Sequence, residues 1–186
     1  GDDGGLAVRR PLPDVAGLVG TGPYVVLHPG ASVPARAWSP HRAAEGAAAL
    51  AAAGHRVVVT GAPGERALTA EVARAVPDGR GVDLGGHTSF GALAAVLAGA
   101  GAVVVGNTGP AHLAAAVGVP VVSLFAPVVP PERWAPYGVR RILLGDQDAP
   151  CRGTRARTCP VPGHPCLDSV RGAHIVDAVA RLIYGE

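Results

Sequence analysis

The sequence contains no methionine and no lysine, and all sixteen of its basic residues are arginine. With no methionine, Gly1 is not expected to be a translation start, and the chain reads as a piece of a longer protein. Arginine without lysine, in a chain rich in Ala, Gly and Pro, points to a GC-rich coding sequence. Chance matches in Ala and Gly are then frequent, so Thr, Pro and His carry more weight in any motif. Aromatic residues are scarce, at 4%. No apolar run approaches the roughly 20 residues of a membrane-spanning helix, and the amino terminus lacks a charged region followed by an apolar one. The expected location is therefore cytoplasmic, with no transmembrane segment. The arginines are scattered and nearly matched by fourteen acids, a net charge of +2, which argues against nucleic acid as a partner. What the chain does have is apolar content: 48% of 186 residues, enough for the core of one domain.

Residues 1–22 are rich in Gly, Asp and Pro, show no sustained period, and read as a linker or the remnant of an upstream region. From residue 23 to 186, short β-branched runs alternate with helical segments. Strands are expected at 24–27, 56–60, 82–84, 102–105, 121–125 and 141–144, and helices at 40–53, 65–76, 89–100, 110–117 and 169–184. Ser39 caps the first helix with Pro40 at its first position, and Thr88 is the expected cap of the third. The apolar stripe Phe90, Leu93, Ala94 and Leu97 is expected to pack on a sheet, and Trp38 to pack its helix there too. The alternation predicts right-handed crossovers and one parallel sheet with helices on both faces, an α/β Rossmann-like domain.

The chemistry concentrates in Val103–Ala116. An apolar strand ends in Gly106-Asn107-Thr108-Gly109, and Pro110 opens an Ala-rich helix. A helix start of this kind favours an anion, and the small residues let a ligand approach the backbone. Thr108, Gly109 and His112 form a candidate phosphate or diphosphate site. The same residues also fit a plain strand-to-helix connection with a solvent-facing histidine. A second turn, His28-Pro29-Gly30-Ala31, follows the first strand. In an open parallel sheet, ligands bind beyond the carboxyl ends of the strands, so both turns are expected to face one crevice.

Asn107-Thr108-Gly109-Pro110-Ala111-His112, with Leu27-His28-Pro29-Gly30-Ala31 upstream, resembles the heptosyltransferase-like glycosyltransferases, the ADP-heptose:lipopolysaccharide transferase family (family 9). The similarity runs from about Tyr24 to the end. It implies the nucleotide-sugar-binding, carboxyl-terminal half of a two-domain GT-B enzyme. Such an enzyme moves a heptose or related sugar, ADP-linked, with inversion and without a required cofactor, to a glycan or glycolipid acceptor. By the same resemblance His28, Gly30, Ala31 and Gly61 line the donor site and Arg36 meets the diphosphate. Glu65 accepts from the ribose hydroxyls, and the backbone near Gly86 and His87 edges the base. Asn107 and Arg36 are the candidate catalytic residues. Asn107 stands where the family commonly has Asp; Asn both donates and accepts, which leaves the sugar open. The acceptor base belongs to an amino-terminal domain absent here, so this stretch alone is expected to be inactive. The full-length protein could sit peripherally on the inner membrane. Two rival readings remain. One is a non-catalytic nucleotide-sugar-binding module or partner subunit. The other is a dinucleotide oxidoreductase domain, disfavoured because no Gly-x-Gly-x-x-Gly follows the first strand.

Cys151, Cys159, His164 and Cys166 lie within sixteen residues. Three thiols and an imidazole could make a structural zinc site, although the spacing is not standard for zinc. A Cys159–Cys166 disulfide and free thiols are the alternatives.

Overall fold

Runs of valine build the sheet and runs of alanine build the helices that cover it. The computed structural model describes residues 5–77 and 79–185. In chain order its elements are α1 (Ala16–Val19), β1 (Val25–His28), α2 (Pro40–Ala52), β2 (Val57–Val59), α3 (Arg66–Arg74), β3 (Gly81–Asp83) and α4 (Phe90–Ala98). There follow β4 (Val103–Gly106), α5 (Gly109–Val117), β5 (Val121–Leu124), α6 (Pro131–Trp134), β6 (Arg141–Leu144), α7 (Pro165–Asp168) and α8 (Gly172–Tyr184). Short 3-10 turns lie at Pro34–Arg36 and Pro63–Glu65.

The strands form one parallel sheet in the order β3-β2-β1-β4-β5-β6. Strands β1, β2, β4 and β5 are buried along their whole length, because helices cover both faces. Alternate residues serve alternate faces. Val25, Leu27, Val57, Val59, Val104 and Val122 pack with Leu50, Val72, Ile175 and Val179 of α2, α3 and α8. Val26, Val58, Val103, Val105 and Val121 pack with Leu97, Ala111, Leu113 and Ala114 of α4 and α5. The expected α/β Rossmann-like architecture is what the chain forms.

Local signals set the helix ends. Ser39 Oγ accepts from the Arg42 amide at 3.3 Å ahead of α2, and Gly118 closes α5 in the left-handed region (φ +86°). The cap of α4 is Ser89, not Thr88: the helix begins at Phe90, and only the residue just before it reaches the Ala92 amide, at 3.1 Å. Phe90 also leaves the expected stripe. It is 74% exposed, and burial in α4 falls on Ala94–Leu97 instead. Trp38 is buried as expected, resting on α2 where Gly46 has no Cβ to obstruct it.

The leading segment has more structure than a linker reading suggests. Residues 1–4 lie outside the described residues, but Val8, Leu12 and Val15 pack against the α4/α5 core and Val19 is buried in it. Arg56 ties the segment down by donating to the carbonyls of Val19, Thr21 and Gly22 at 2.5, 2.7 and 3.2 Å. Residues 126–138, where the sequence pattern marked no element, contain α6 and pack Val129 and Ala135 against Phe125 at the end of β5 in a small core. Among the described residues, no helix is long and apolar enough to cross a membrane.

Helix α8 lies close against α2 through Gly172. Its amide donates to Glu45 Oε1 at 3.0 Å, and a Cβ there would come within 2.7 Å of Ala49 Cβ. Gly172→Ala should therefore destabilise the fold by about 1–3 kcal/mol despite alanine's better helix propensity, because overpacking outweighs the backbone gain. A urea midpoint that rises instead would show that α8 can move away.

Three histidines give the fold a pH dependence. Burial pushes His28 below its ordinary value, with Glu65 partly opposing, and burial lowers His55 and His164 as well. An imidazole held neutral in the fold takes its proton on unfolding, so this stability is present above the ordinary pKa of 6.5 and is lost as pH falls below it. The urea midpoint should drop between about pH 7 and about pH 5, and drop less in His28→Asn. A midpoint flat across that window would contradict the burial of these rings.

Candidate functional site

Strand β1 lies beside β4, with His28 paired to Val105, while its crossover leaves on one face and that of β4 on the other. The connections after the two strands therefore diverge, and a crevice opens between them beyond the carboxyl edge of the sheet. The β1 side brings Gly30, Ala31, Ser32 and the turn that carries Arg36. The β4 side brings Asn107, Thr108 and the start of α5. Gly106, at the end of β4, lets the Arg36 carbonyl come close: a Cβ there would sit 3.3 Å from it.

Two hollows meet in this crevice. The larger, of about 350 Å³, is lined by His28, Gly30, Ala31, Gly61 and Glu65, with Phe90 and Leu93 opposite. The smaller, of about 140 Å³, is lined by Arg36, Asn107, His112 and Trp134 with Val33. Ser32, Thr108 and Gly109 belong to both. The residues that open α5 thus stand where the two spaces join. Thr108 has an extended backbone and its side chain makes no capping bond to the helix; its hydroxyl donates only a long bond, 3.5 Å, to the Gly106 carbonyl, which a ligand can displace.

The smaller hollow holds donors without acceptors. Asn107 is buried, and its Oδ1 accepts from the Ala126 amide at 3.4 Å while Nδ2 has no partner. Arg36 Nε is likewise buried and unpaired. A buried polar group left unmade costs about 1–3 kcal/mol, so two at one place call for an explanation, and a bound acceptor group supplies it. The Arg36 guanidinium carbon lies 5.6 Å from the centroid of the Trp134 ring.

The larger hollow is organised by Glu65. Its Oε2 accepts from the Ala62 amide at 2.7 Å and lies 3.9 Å from His28 Nε2. The carboxylate lies over Gly30, where any Cβ would collide with it. On its other side, His28 Nδ1 is 2.9 Å from Thr60 Oγ1. Glycine at position 30 is therefore a condition for placing an acceptor beside the β1 turn.

Most of the residues singled out in the sequence come together here, including His28, Gly30, Ala31, Arg36, Gly61, Glu65, Asn107, Thr108, Gly109 and half-buried His112. Gly86 and His87 line neither hollow. Gly86 takes a left-handed turn (φ +69°) against Arg66, which donates to its carbonyl, and His87 is exposed. Sequence reasoning attached no role to Ser32 or Trp134, and placed Phe90 in the core. A third, apolar space of about 710 Å³ adjoins the crevice between the leading segment and α4 and α5.

Of the three readings left open for Cys151, Cys159, His164 and Cys166, the structure agrees with free thiols and not with a zinc site or a Cys159–Cys166 disulfide. Among the described residues no group of three or more His, Cys, Asp or Glu is placed to hold a metal ion, and the three thiols are free, with no disulfide. Cys151 and Cys166 are buried in the core, and burial, together with the neighbouring thiols, pushes Cys166 up to about 12. Cys159 donates to the Val161 carbonyl at 3.3 Å, and His164 Nε2 is buried without a partner.

Comparison with known proteins places this geometry. The family model for glycosyltransferase family 9 (heptosyltransferase) matches residues 9–164. The chain is similar to lipopolysaccharide heptosyltransferase 1 of Pseudomonas aeruginosa, with 46% identity over 71 residues, covering 38% of this chain and 19% of that protein. Among solved structures it is similar to the family 9 glycosyl transferase from Veillonella parvula, with a TM-score of 0.74 and 23% identity over 91% of this chain and 49% of that one. It also resembles E. coli heptosyltransferase WaaC with ADP, with a TM-score of 0.68 and 25% identity over 92% of this chain and 46% of that one. The chain thus spans about half the length of the solved relatives. With the family model covering most of the sequence over a matching fold, the chain belongs to glycosyltransferase family 9, the heptosyltransferase family.

Proposed function

We propose that this chain is the donor-binding domain of an inverting glycosyltransferase that takes a heptose or related sugar from an ADP-linked donor and passes it to a glycan or glycolipid acceptor. The observation that carries this reading is the pair of hollows joined at Thr108 and Gly109, the smaller one containing two buried donors without acceptors. A nucleotide diphosphate sugar has the matching order of parts. Its nucleoside fits the larger hollow with the ribose near Glu65, its diphosphate lies across the start of α5, and its sugar faces the smaller one. The match to an E. coli heptosyltransferase structure with ADP supports adenine as the base.

In this reading the chain's residues act on the leaving group. As the glycosidic bond breaks, negative charge grows on the diphosphate, and donors already in place stabilise it without reorganising. Arg36 supplies the fixed charge, Thr108 and the Gly109 amide supply hydrogen bonds, and His112 in the first turn of α5 adds a further donor. Asn107, its oxygen held by the Ala126 amide, donates through Nδ2 toward the sugar. The acceptor hydroxyl attacks the anomeric carbon from the side opposite the diphosphate and must lose its proton to a base. That base comes from an amino-terminal domain outside this sequence, so residues 1–186 bind donor and transfer nothing.

Calorimetric titration with ADP, GDP and UDP tests the reading. ADP should bind saturably, and His112→Ala should weaken it by roughly tenfold, the loss of one charge-assisted hydrogen bond. Glu65→Ala should remove the preference for ADP over 2′-deoxy-ADP. No binding by any of the three nucleotides, or binding indifferent to His112, would overturn it.

A further inference from the structure

Arg36 is the fixed charge of the crevice, yet among the described residues no carboxylate pairs with it. Its Nε is buried without a partner, and the contact its guanidinium does make is with the face of Trp134. The two side chains reach the same 140 Å³ hollow from separate parts of the chain, Arg36 from the turn after β1 and Trp134 from the end of α6 after β5. The tryptophan has its own support. Ala135 and Val129 are buried against Phe125, and Arg141 Nη1 donates to the Pro136 carbonyl at 2.6 Å, tying the α6 loop to the edge strand β6. The backbone that carries the ring is thus anchored to the sheet independently of the arginine.

We propose that Trp134 is the positioning residue of the donor site, its indole face holding the Arg36 guanidinium over the smaller hollow to meet the nucleotide diphosphate. The proposal rests on the donor-domain reading. A carboxylate beside an anion-binding arginine competes with the anion for its donors and offsets part of the local positive potential. An aromatic face attracts the cation through its quadrupole and leaves the N–H edges free. This also explains an exposed tryptophan in a chain with so few aromatics: Trp134 is 46% exposed, whereas Trp38, at 3%, is a core residue.

The test compares wild type, Trp134→Phe and Trp134→Leu by titration with ADP, GDP and UDP, and with the free nucleosides. Trp134→Leu should weaken the nucleoside diphosphate that the wild type binds by about tenfold and leave the nucleoside unchanged, and Trp134→Phe should restore most of the loss. Arg36→Gln combined with Trp134→Leu should bind no worse than Arg36→Gln alone. In the ligand-free protein, Arg36→Gln should shift the emission of Trp134, taken as the difference between chains with and without that residue. Retained nucleoside binding serves as the folding control. If Trp134→Leu binds the diphosphate as the wild type does, or loses nucleoside and diphosphate alike, the proposal falls while the donor reading stands. If the wild type binds none of the three nucleotides, both fall.

Discussion

The adjacency of β1 and β4 is the constraint on which the rest of the site depends. These strands are fully buried and pair in register from Val26 with Val103 to His28 with Val105, and their right-handed crossovers lie on opposite faces because β1 leads to β2 on one side and β4 to β5 on the other. Two chain segments far apart in sequence must then leave the sheet edge side by side and diverge. The candidate site is built around that divergence: the Gly30 turn, the Arg36 turn, Asn107 and the opening of α5.

Several residues around the crevice make sense only together. Gly30 is small because the Glu65 carboxylate lies over it, and Gly106 is small because the Arg36 backbone comes close to β4. Asn107 spends its oxygen on the Ala126 amide and keeps its nitrogen unpaired, in the same hollow as the unpaired Arg36 Nε. A fold that buries donors without acceptors is less stable than one that satisfies them. The cost is spread over a rigid sheet with two full cores, which holds those donors still while they wait for an acceptor. His28 extends the same logic, kept neutral by burial between Thr60 and Glu65.

Most of the fold was legible because its elements obey local rules. Short valine-rich runs gave the strands to within a residue or two, and Ser39-Pro40 gave the start of α2. The errors lie where tertiary packing overrides the local pattern. Phe90 fits the period of a buried stripe, but it sits in the first turn of α4 beside the crevice, so it lines hollows and not the core. Residues 5–22 have no periodic signal, yet Arg56 and the α4/α5 core hold them down. Within the site, the residues next to the strand ends were legible, since motif and topology agree there. Trp134 was not, because its place beside Arg36 depends on the order of β5 and β6 in the sheet; for the cysteines the sequence left zinc, a disulfide and free thiols open, and free thiols are what the fold holds.

The central claim is spatial: one elongated ligand lies across the start of α5, with its anionic middle at Thr108 and Gly109. A crystal structure of the chain with ADP tests that directly. The account predicts the diphosphate between Arg36 and the first turn of α5, with the nucleoside in the larger hollow and the ribose within hydrogen-bonding distance of Glu65. ADP lodged in the apolar space beside the leading segment, or a diphosphate clear of Arg36 and Thr108, would contradict it.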